Sequence, residues 1–316
     1  MNTLTAQTNY ILMGISKDQL AEDHIGRINK ALMFIDKNLD ELLTLQVVSA
    51  AAHYSPYHFH RIFKTVTGQT LNSYITRKRI EKTASVLMRN KEVTIAELSL
   101  QYSFKSNSSF TRAFKNFYGI SPTTFRAHCK NKYSKISKTE SKNGQKKVVF
   151  ESEICNMENQ HTTINVNAKV IEMPALQLAY LSHLGDGDRT PVFEKLIRWS
   201  KSKGLATNEP ELLTIYHDSF KITSPDKVRT SAGMILNQPV NADGDVSLTT
   251  IEKGKFAVGH FTINRSEFGT AWSNMYKWVN ENGYQATDRA CFEIYRNDYR
   301  LHPEKKFILD LYVPIN

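Results

Sequence analysis

The sequence predicts a multidomain protein of the α and α+β class, with an all-helical first half followed by a second half built of two βαββ units. Three observations support this prediction. Apolar residues recur with a helical period up to about residue 130, and runs with the alternating period of a strand dominate from about residue 160. A polar, lysine-rich segment separates the two patterns. Each half also contains an internal repeat.

The domain boundaries follow from these changes of pattern. We expect an N-terminal extension over residues 1–23, a helical domain over 24–130, a linker over 131–159 and a second domain over 160–316. Within the first domain, the predicted helices cover residues 24–38, 44–51, 55–66, 71–89, 94–101, 107–117 and 122–129.

Charge is distributed unevenly between the two halves of this 316-residue chain, whose formal net charge is +10. Residues 1–150 contain 23 Lys and Arg against 10 Asp and Glu, whereas residues 151–316 contain 18 against 21. A cationic first half suits a polyanionic partner such as nucleic acid. The second half carries no such preference.

Other features narrow the class of protein. The three cysteines, Cys129, Cys155 and Cys291, are far apart and form no CxxC pair, so neither a disulfide framework nor a zinc site is expected. The N-terminal segment lacks the pattern of a secretion signal, and no apolar run approaches the roughly 18 residues that span a bilayer. We therefore expect a cytoplasmic protein that does not insert into membranes.

The first internal repeat pairs "SPYHFHRIFKTVTGQT" at 55–70 with "SNSSFTRAFKNFYGIS" at 106–121. A shorter helix precedes each copy, so each pair has the pattern of a helix-turn-helix, whose second helix enters a DNA major groove. The residues that repeat at a spacing of 51 are Ser55 and Ser106, Phe59 and Phe110, Arg61 and Arg112, Phe63 and Phe114, Lys64 and Lys115, and Gly68 and Gly119.

Helix punctuation flanks both copies. Ser55-Pro56 and Ser121-Pro122 place a capping residue before a proline at the first helical position. Gly68 and Gly119 follow the ends of the second helices, as glycine does at a helix C-terminus. Between the copies, "LNSYITRKRIEKTASVLM" predicts a connecting helix with an apolar packing face.

Polar residues repeated at equivalent positions of two helices indicate a shared binding role, because a merely solvated face would not require the repetition. Residues 24–130 resemble the DNA-binding domain of the AraC/XylS family of transcription regulators, through "SPYHFHRIFKTVTGQT", "YITRKRIEKTASVLM" and "SFKSNSSFTRAFKNFYGISPTTFR". The resemblance implies contacts with double-stranded DNA from Tyr57, His60, Arg61, Asn107, Ser108, Thr111 and Arg112. We add the repeated lysines Lys64 and Lys115.

Two positions depart from the family pattern. Members usually have glycine in the helix-turn-helix turns where this chain has His53 and Ser103, so these residues are expected to bear modest backbone strain. His53, His58 and His60 also raise the alternative of a metal site. His58 and His60 would point about 200° apart on a helix, so no shared metal is expected.

The second internal repeat has an offset of 79 residues and matches "FEKLIRWSKSKGL" at 193–205 with "WSNMYKWVNENGY" at 272–284. Farther on, "TIYHD" at 214–218 matches "EIYRN" at 293–297. Each copy has the pattern strand, helix, strand, strand. We therefore expect two βαββ units about a pseudo-twofold axis, with a concave groove between their sheets.

One position breaks this second repeat, because Thr214 in the first copy corresponds to Glu293 in the second. On a strand, Cys291, Glu293 and Tyr295 share one face. A carboxylate flanked by aromatic rings suits an organic cation. The alternative is that Glu293 lies on the exposed face of an ordinary sheet.

Residues 168–316 resemble the GyrI-like effector domain, through "ACFEIYRND" and "FILDLYVPIN". The resemblance implies that Glu293 lies in a small-molecule pocket with aromatic walls. The candidate wall residues are Trp272, Tyr276, Tyr295, Tyr216 and Phe256.

The two resemblances together imply a DNA-binding transcription regulator that senses a small molecule, and activation through contact with RNA polymerase. No catalytic residue, metal or cofactor is predicted. Two alternatives remain open, a DNA-binding protein whose second half is a hydrolase and a non-specific architectural DNA binder. The sequence does not choose between a monomer and a homodimer.

Overall fold

The computed structural model describes residues 17–90, 92–129, 136–140, 146–150, 166–205, 210–220 and 222–316. Most of the predicted N-terminal extension, much of the predicted linker and Cys155 lie outside these ranges. The chain divides into two compact units, one formed by residues up to Asn159 together with Asp243–Asp245 and the other by Gln160–Ala242 and Val246–Asn316.

Helices form the first unit, as predicted. They are α1 (Lys17–Lys37), α2 (Leu45–Ala51), α3 (Pro56–Thr67), α4 (Leu71–Arg89), α5 (Ile95–Gln101), α6 (Asn107–Tyr118) and α7 (Pro122–Cys129). Helix α1 begins seven residues before the predicted start at 24, because "KDQLAED" continues with good helix formers and acidic residues suit a helix N-terminus. An antiparallel hairpin of β1 (Ile136–Glu140) and β2 (Lys146–Phe150) falls within the stretch predicted as a linker.

Side-chain caps explain where the short helices begin. Thr44 Oγ1 accepts a hydrogen bond from the Val47 backbone N–H at 3.2 Å, and Thr94 makes the same bond to Glu97 at 3.1 Å. Ser121 caps α7 through Thr124 N–H at 3.1 Å, as predicted. Ser55 occupies the capping position of α3 but its side chain makes no capping bond, so that part of the prediction is wrong.

The two helix-turn-helix units differ by one residue in the turn. Thr44 and Thr94, which cap the first helices, are 50 residues apart, whereas the second helices repeat at 51. The extra residue lies after Ser103. Both His53 (φ 55°) and Ser103 (φ 52°) adopt the left-handed conformation that L-residues rarely occupy, which confirms the expected strain.

The apolar face of each recognition helix, α3 and α6, is buried. Phe59 and Phe63 on α3 are fully buried with ring centroids 5.2 Å apart, and Phe110 and Phe114 repeat this arrangement on α6 at 5.7 Å. Burying such rings stabilises each unit by several kcal/mol, about 1.5–3 kcal/mol per side chain. The opposite face of each helix is left to solvent.

Within the described residues, strands and two α-helices form most of the second unit. The strands are β3 (Asn167–Met173), β4 (Leu176–Leu184), β5 (Leu212–Tyr216), β6 (Arg229–Ile235), β7 (Ser247–Ile251), β8 (Gly254–Ile263), β9 (Cys291–Tyr295) and β10 (Phe307–Pro314), and the helices are α8 (Thr190–Ser202) and α9 (Phe268–Glu281). The strands build one antiparallel sheet in the order β3-β8-β10-β9-β5-β6-β4-β7.

Both βαββ repeats are present, as β4-α8-β5-β6 and β8-α9-β9-β10. The expectation of a groove between two sheets is wrong, because β5 and β9 pair directly and join the repeats into one sheet. In that pairing Thr214 lies opposite Glu293, with Leu213 opposite Ile294 and Ile215 opposite Phe292. Since Thr214 and Glu293 are also equivalent in the repeat, the pseudo-twofold axis passes between them.

The two faces of the sheet are both buried. Helices α8 and α9 pack on one face, against clusters that include Leu196 and Met275. The other face carries a separate apolar cluster that includes Phe256, Phe292 and Tyr312. Among the described residues, none of the helices has the length and apolarity needed to cross a bilayer.

Candidate functional site

The predicted DNA-contacting side chains of α3 lie on its outer face. Tyr57, His60, Arg61 and Lys64 are all exposed, and Tyr57 reaches 79% exposure. Pro56 at the first helical position fixes where the helix begins, and the buried Phe59 and Phe63 fix which face turns outward. A shallow depression lined by Tyr57, His60, Arg61 and Lys64 runs along this face.

Helix α6 repeats the arrangement. Asn107, Ser108, Arg112 and Lys115 are exposed, and Thr111 is half-buried. The helix begins with a reciprocal cap between Ser106 and Ser109, which leaves Asn107 and Ser108 at its exposed N-terminus. Side chains at this end of a recognition helix are the ones that reach base edges in known complexes.

Four cations on these helices have no counter-charge among the described residues. Within the part of the chain that the structure describes, Arg61, Lys64, Arg112 and Lys115 form no ion pair. Elsewhere in the same unit, buried cations are paired, as Arg77 is with Glu81 at 2.9 Å. Exposed cations without partners are available to phosphate oxygens.

The second candidate site is built around Glu293 on β9. Its side chain is fully buried beneath α8 and α9, so the alternative of an exposed sheet position is wrong. Tyr295 Oη donates to Glu293 Oε1 at 2.6 Å, and Thr214 Oγ1 lies 2.8 Å from the same hydroxyl. The other oxygen, Glu293 Oε2, is buried without a hydrogen bond of normal geometry, although the Tyr216 hydroxyl and the Trp272 indole N–H also stabilise the carboxylate.

Burial raises the pKa of Glu293, because the protein interior disfavours the charged carboxylate. Hydrogen bonding from Tyr295, the nearby Tyr216 hydroxyl and the charge of Arg189 each oppose part of that effect. Burial and the neighbouring carboxylate raise the pKa of Tyr295 and Tyr216 well above their usual value. Both tyrosines are therefore neutral donors at physiological pH.

Two aromatic pairs flank the carboxylate symmetrically. Tyr295 meets Phe193 of α8 edge-on at 5.7 Å, and Tyr216 meets Trp272 of α9 edge-on at 5.4 Å. The pairs exchange under the repeat, because Phe193 corresponds to Trp272 and Tyr216 to Tyr295. We call these four aromatic residues, with Thr214 and Glu293, the glutamate cluster.

Most of the predicted wall residues lie at or beside this cluster. Tyr276 packs beside Trp272 with ring centroids 6.3 Å apart, and its hydroxyl lies 3.0 Å from Cys291 Sγ. Phe256 is the exception, and its assignment is corrected. Its ring packs against Phe292 at 5.5 Å on the opposite face of the sheet, because residues of one strand alternate between faces.

Sequence reasoning missed two members of the site. Phe193 had a usable signal, since it occupies the position equivalent to Trp272 in the repeat. Arg189, whose charge acts on Glu293, lies in the loop before α8, where no periodic pattern marks it.

Comparison with known proteins matches both halves of the chain to families. Residues 167–316 match the GyrI-like small molecule binding domain, and residues 48–128 match a helix-turn-helix domain.

Several characterised proteins are similar over about a third of the chain. The Tn10 TetD protein of Escherichia coli is 43% identical over 103 residues, which cover 33% of this chain and 74% of TetD. The transcriptional activator AarP of Providencia stuartii is 33% identical over 99 residues, covering 31% of this chain and 73% of AarP. The right origin-binding protein of Escherichia coli K12 is 39% identical over 104 residues, covering 33% of this chain but only 36% of that protein.

A solved structure, the C-terminal domain of EcmrR, aligns with a TM-score of 0.41 at 15% identity, over 48% of this chain and 99% of that chain. A likeness at this score supports no functional argument.

Proposed function

Because the chain belongs to the AraC family of transcription regulators and carries a GyrI-like domain, we propose that it is a one-component regulator in which the helical unit reads an operator and the second unit senses an organic cation. The observation that carries the first part is the repetition of exposed, unpaired cations on α3 and α6. The buried Glu293 carboxylate among aromatic rings carries the second.

The exposed side chains of α3 and α6 divide by chemistry into two roles. Arg61 and Arg112 can fork onto guanine in the major groove, and Lys64 and Lys115, one helical turn farther along, suit phosphate oxygens. Tyr57, His60, Asn107 and Ser108 supply hydrogen bonds at base edges. Thr111 is half-buried, and its methyl group suits contact with the C5 methyl of thymine.

Replacing Arg61 with alanine tests the DNA-reading role. If Arg61 contacts a base, we expect specific binding to weaken by about 1–3 kcal/mol and the preference for that base to relax. If Arg61 contacts a phosphate, we expect a similar loss of affinity for all DNA sequences. The measurement is fluorescence anisotropy of the full chain on duplexes recovered by in vitro selection. Arg198→Ala, on an exposed face of α8 in the other unit, is the matched control. Binding that Arg61→Ala leaves unchanged would remove Arg61 from the DNA contacts.

We propose that the protein activates transcription in the cytoplasm by contacting RNA polymerase. The support is similarity to AarP, which is described as a transcriptional activator.

A hydrolytic role for the second unit is not favoured. The high pKa of Tyr295 and Tyr216 makes neither a ready base or nucleophile, and the hydrogen bond to Tyr295 occupies one oxygen of Glu293.

The glutamate cluster suits a ligand that carries a positive charge on a flat or aromatic frame. Its four rings offer faces and edges to such a frame, and the buried Glu293 carboxylate offers the counter-charge. The rings contact each other within each pair and Glu293 is fully buried, so binding requires the rings to move apart. A cation beside Glu293 lowers its pKa and favours the ionised form.

Glu293→Gln keeps the size of the side chain and removes its charge. We expect it to weaken a cationic aromatic ligand by about 1–3 kcal/mol and to weaken a neutral ligand of the same shape much less. Because burial raises the pKa of Glu293, binding of the cation to the wild type should release a proton and should weaken as pH falls through that raised pKa. The Gln variant should lose this pH dependence.

Calorimetry with the cation and its neutral isostere, in buffers of different ionisation enthalpy, measures both effects. Glu281→Gln, an exposed carboxylate on α9, is the control for general loss of negative charge. Equal losses for the two ligands on Glu293→Gln, or proton release that persists in that variant, would contradict the assignment.

A further inference from the structure

The segment ahead of the first helix-turn-helix is tied to the turn of the second. Ser103 Oγ, in the second turn, donates a hydrogen bond to the carbonyl oxygen of Asp40. Arg79 on the connecting helix α4 donates to three further carbonyls, those of Leu39 at 2.8 Å, Glu41 at 2.6 Å and Ser103 at 3.5 Å. Residues 39–41 lead directly into Thr44, the cap of α2.

The conformation of Ser103 suggests that this contact has a use. At φ 52° a serine is strained, and glycine would adopt the same backbone without cost. What serine has and glycine lacks is the hydroxyl, and that hydroxyl makes the bond to Asp40. The equivalent residue in the first turn, His53 (φ 55°), bears similar strain. The hydrogen bond at His53 is different in kind, since only its backbone carbonyl accepts, from Arg27 at 3.2 Å.

Arg79 is suited to hold such a junction. A guanidinium presents five donors in a fixed plane, so it can bind several carbonyls at once and fix their relative positions. Here Arg79 connects the segment before the first helix-turn-helix, the connecting helix and the turn of the second helix-turn-helix. A lysine, with a single charged nitrogen on a flexible stem, would not fix the same geometry.

We propose that Arg79 and Ser103 form a clamp that sets the spacing and angle between the two recognition helices, and so determines which half-site spacing the protein accepts. This inference rests on the proposed reading of DNA by both helices. Each base pair inserted between half-sites moves them about 3.4 Å apart and rotates one against the other by about 35°. Two recognition helices held rigidly cannot both bind half-sites at the changed spacing, whereas two loosely held helices can adjust to it.

The test uses the full chain and three duplexes. The first is recovered by in vitro selection with the wild type, the second carries one extra base pair between its half-sites, and the third has one half-site scrambled. The variants are Ser103→Gly, Arg79→Met and Arg79→Lys. His53→Gly is the matched control, because it relieves the left-handed strain in the other turn without removing a hydrogen bond between the two helix-turn-helix motifs. Dissociation constants come from anisotropy, and thermal unfolding is followed in parallel.

We expect the wild type to bind the inserted duplex roughly tenfold more weakly than the selected one, on the scale of a single mismatched base pair. Ser103→Gly should keep its thermal stability and its affinity for the half-scrambled duplex yet lose several-fold of this discrimination. Arg79→Met should lose more of the discrimination between the two spacings, and Arg79→Lys should lose an intermediate amount. His53→Gly should discriminate as the wild type does.

Two results would overturn the clamp. One is that both Ser103→Gly and Arg79→Met discriminate against the inserted duplex as strongly as the wild type does. The other is a loss by Ser103→Gly that is equal on all three duplexes, which would make its role one of general stability. Failure of the wild type to select any duplex would instead count against DNA reading itself, so the two failures are distinguishable.

Discussion

Raising the salt concentration from about 50 to 200 mM should weaken DNA binding by about 10³–10⁵-fold if the two recognition helices and their flanks make roughly 6–10 phosphate contacts. The physical reason is the release of counterions from the duplex when lysine and arginine replace them. The first half of the chain holds 23 such residues against 10 acidic ones, and those on α3 and α6 are exposed without ion-pair partners among the described residues.

A titration series in KCl at constant pH, followed by anisotropy, measures the slope. Lys64→Ala and Lys115→Ala should each reduce the slope of log affinity against log salt concentration by about one. Lys277→Ala, an exposed lysine of the second unit, should leave it unchanged and serves as the control. A nearly flat salt response would mean that the cationic half does not bind along a phosphate backbone.

Replacing Glu81 with alanine should destabilise the first unit by about 3–5 kcal/mol, because it removes a buried carboxylate that pairs with the buried Arg77. Arg77 Nη1 lies 2.9 Å from Glu81 Oε2, and both side chains are buried on α4. Arg77 also donates to Gln69 Oε1 at 3.2 Å and packs over the Tyr74 ring at 4.8 Å, so several contacts hold its side chain in the buried position.

Denaturant unfolding of the full chain, with DNA binding as the readout for the first unit, measures the loss. The control is Glu281→Ala, which breaks a pair of the same i, i+4 spacing with Lys277 at 3.7 Å on the exposed face of α9. That exposed pair is expected to contribute about 0–1 kcal/mol. Losses of similar size for the two variants would contradict the role given to burial.

Local signals explain how much of the helical unit could be predicted. Thr44 and Thr94 cap their helices, and Gly68 and Gly119 end theirs in the left-handed conformation, so the predicted ends were within a residue or two. The missing Ser55 cap depends on backbone and side-chain angles that residue type does not determine, whereas the longer turn after Ser103 is already visible in the spacing of the two copies.

The second unit shows where sequence reasoning stops. The repeat predicted its helices and most of its strands, but the pairing of β5 with β9 is a long-range contact with no local signal. Phe256 was misplaced for a related reason. Alternation along β8 separates Phe256 from Ala257, but both faces of this sheet are buried, so apolarity does not tell which face meets Glu293.

The central claim is that α3 and α6 together read DNA, and an anisotropy titration of the double variant Arg61→Ala, Arg112→Ala on the selected duplex tests it most directly. The two arginines lie on separate helices with no shared partner, so their effects should add, giving a loss of about 2–6 kcal/mol in specific binding with thermal stability unchanged. Binding of the double variant within twofold of the wild type would contradict the claim.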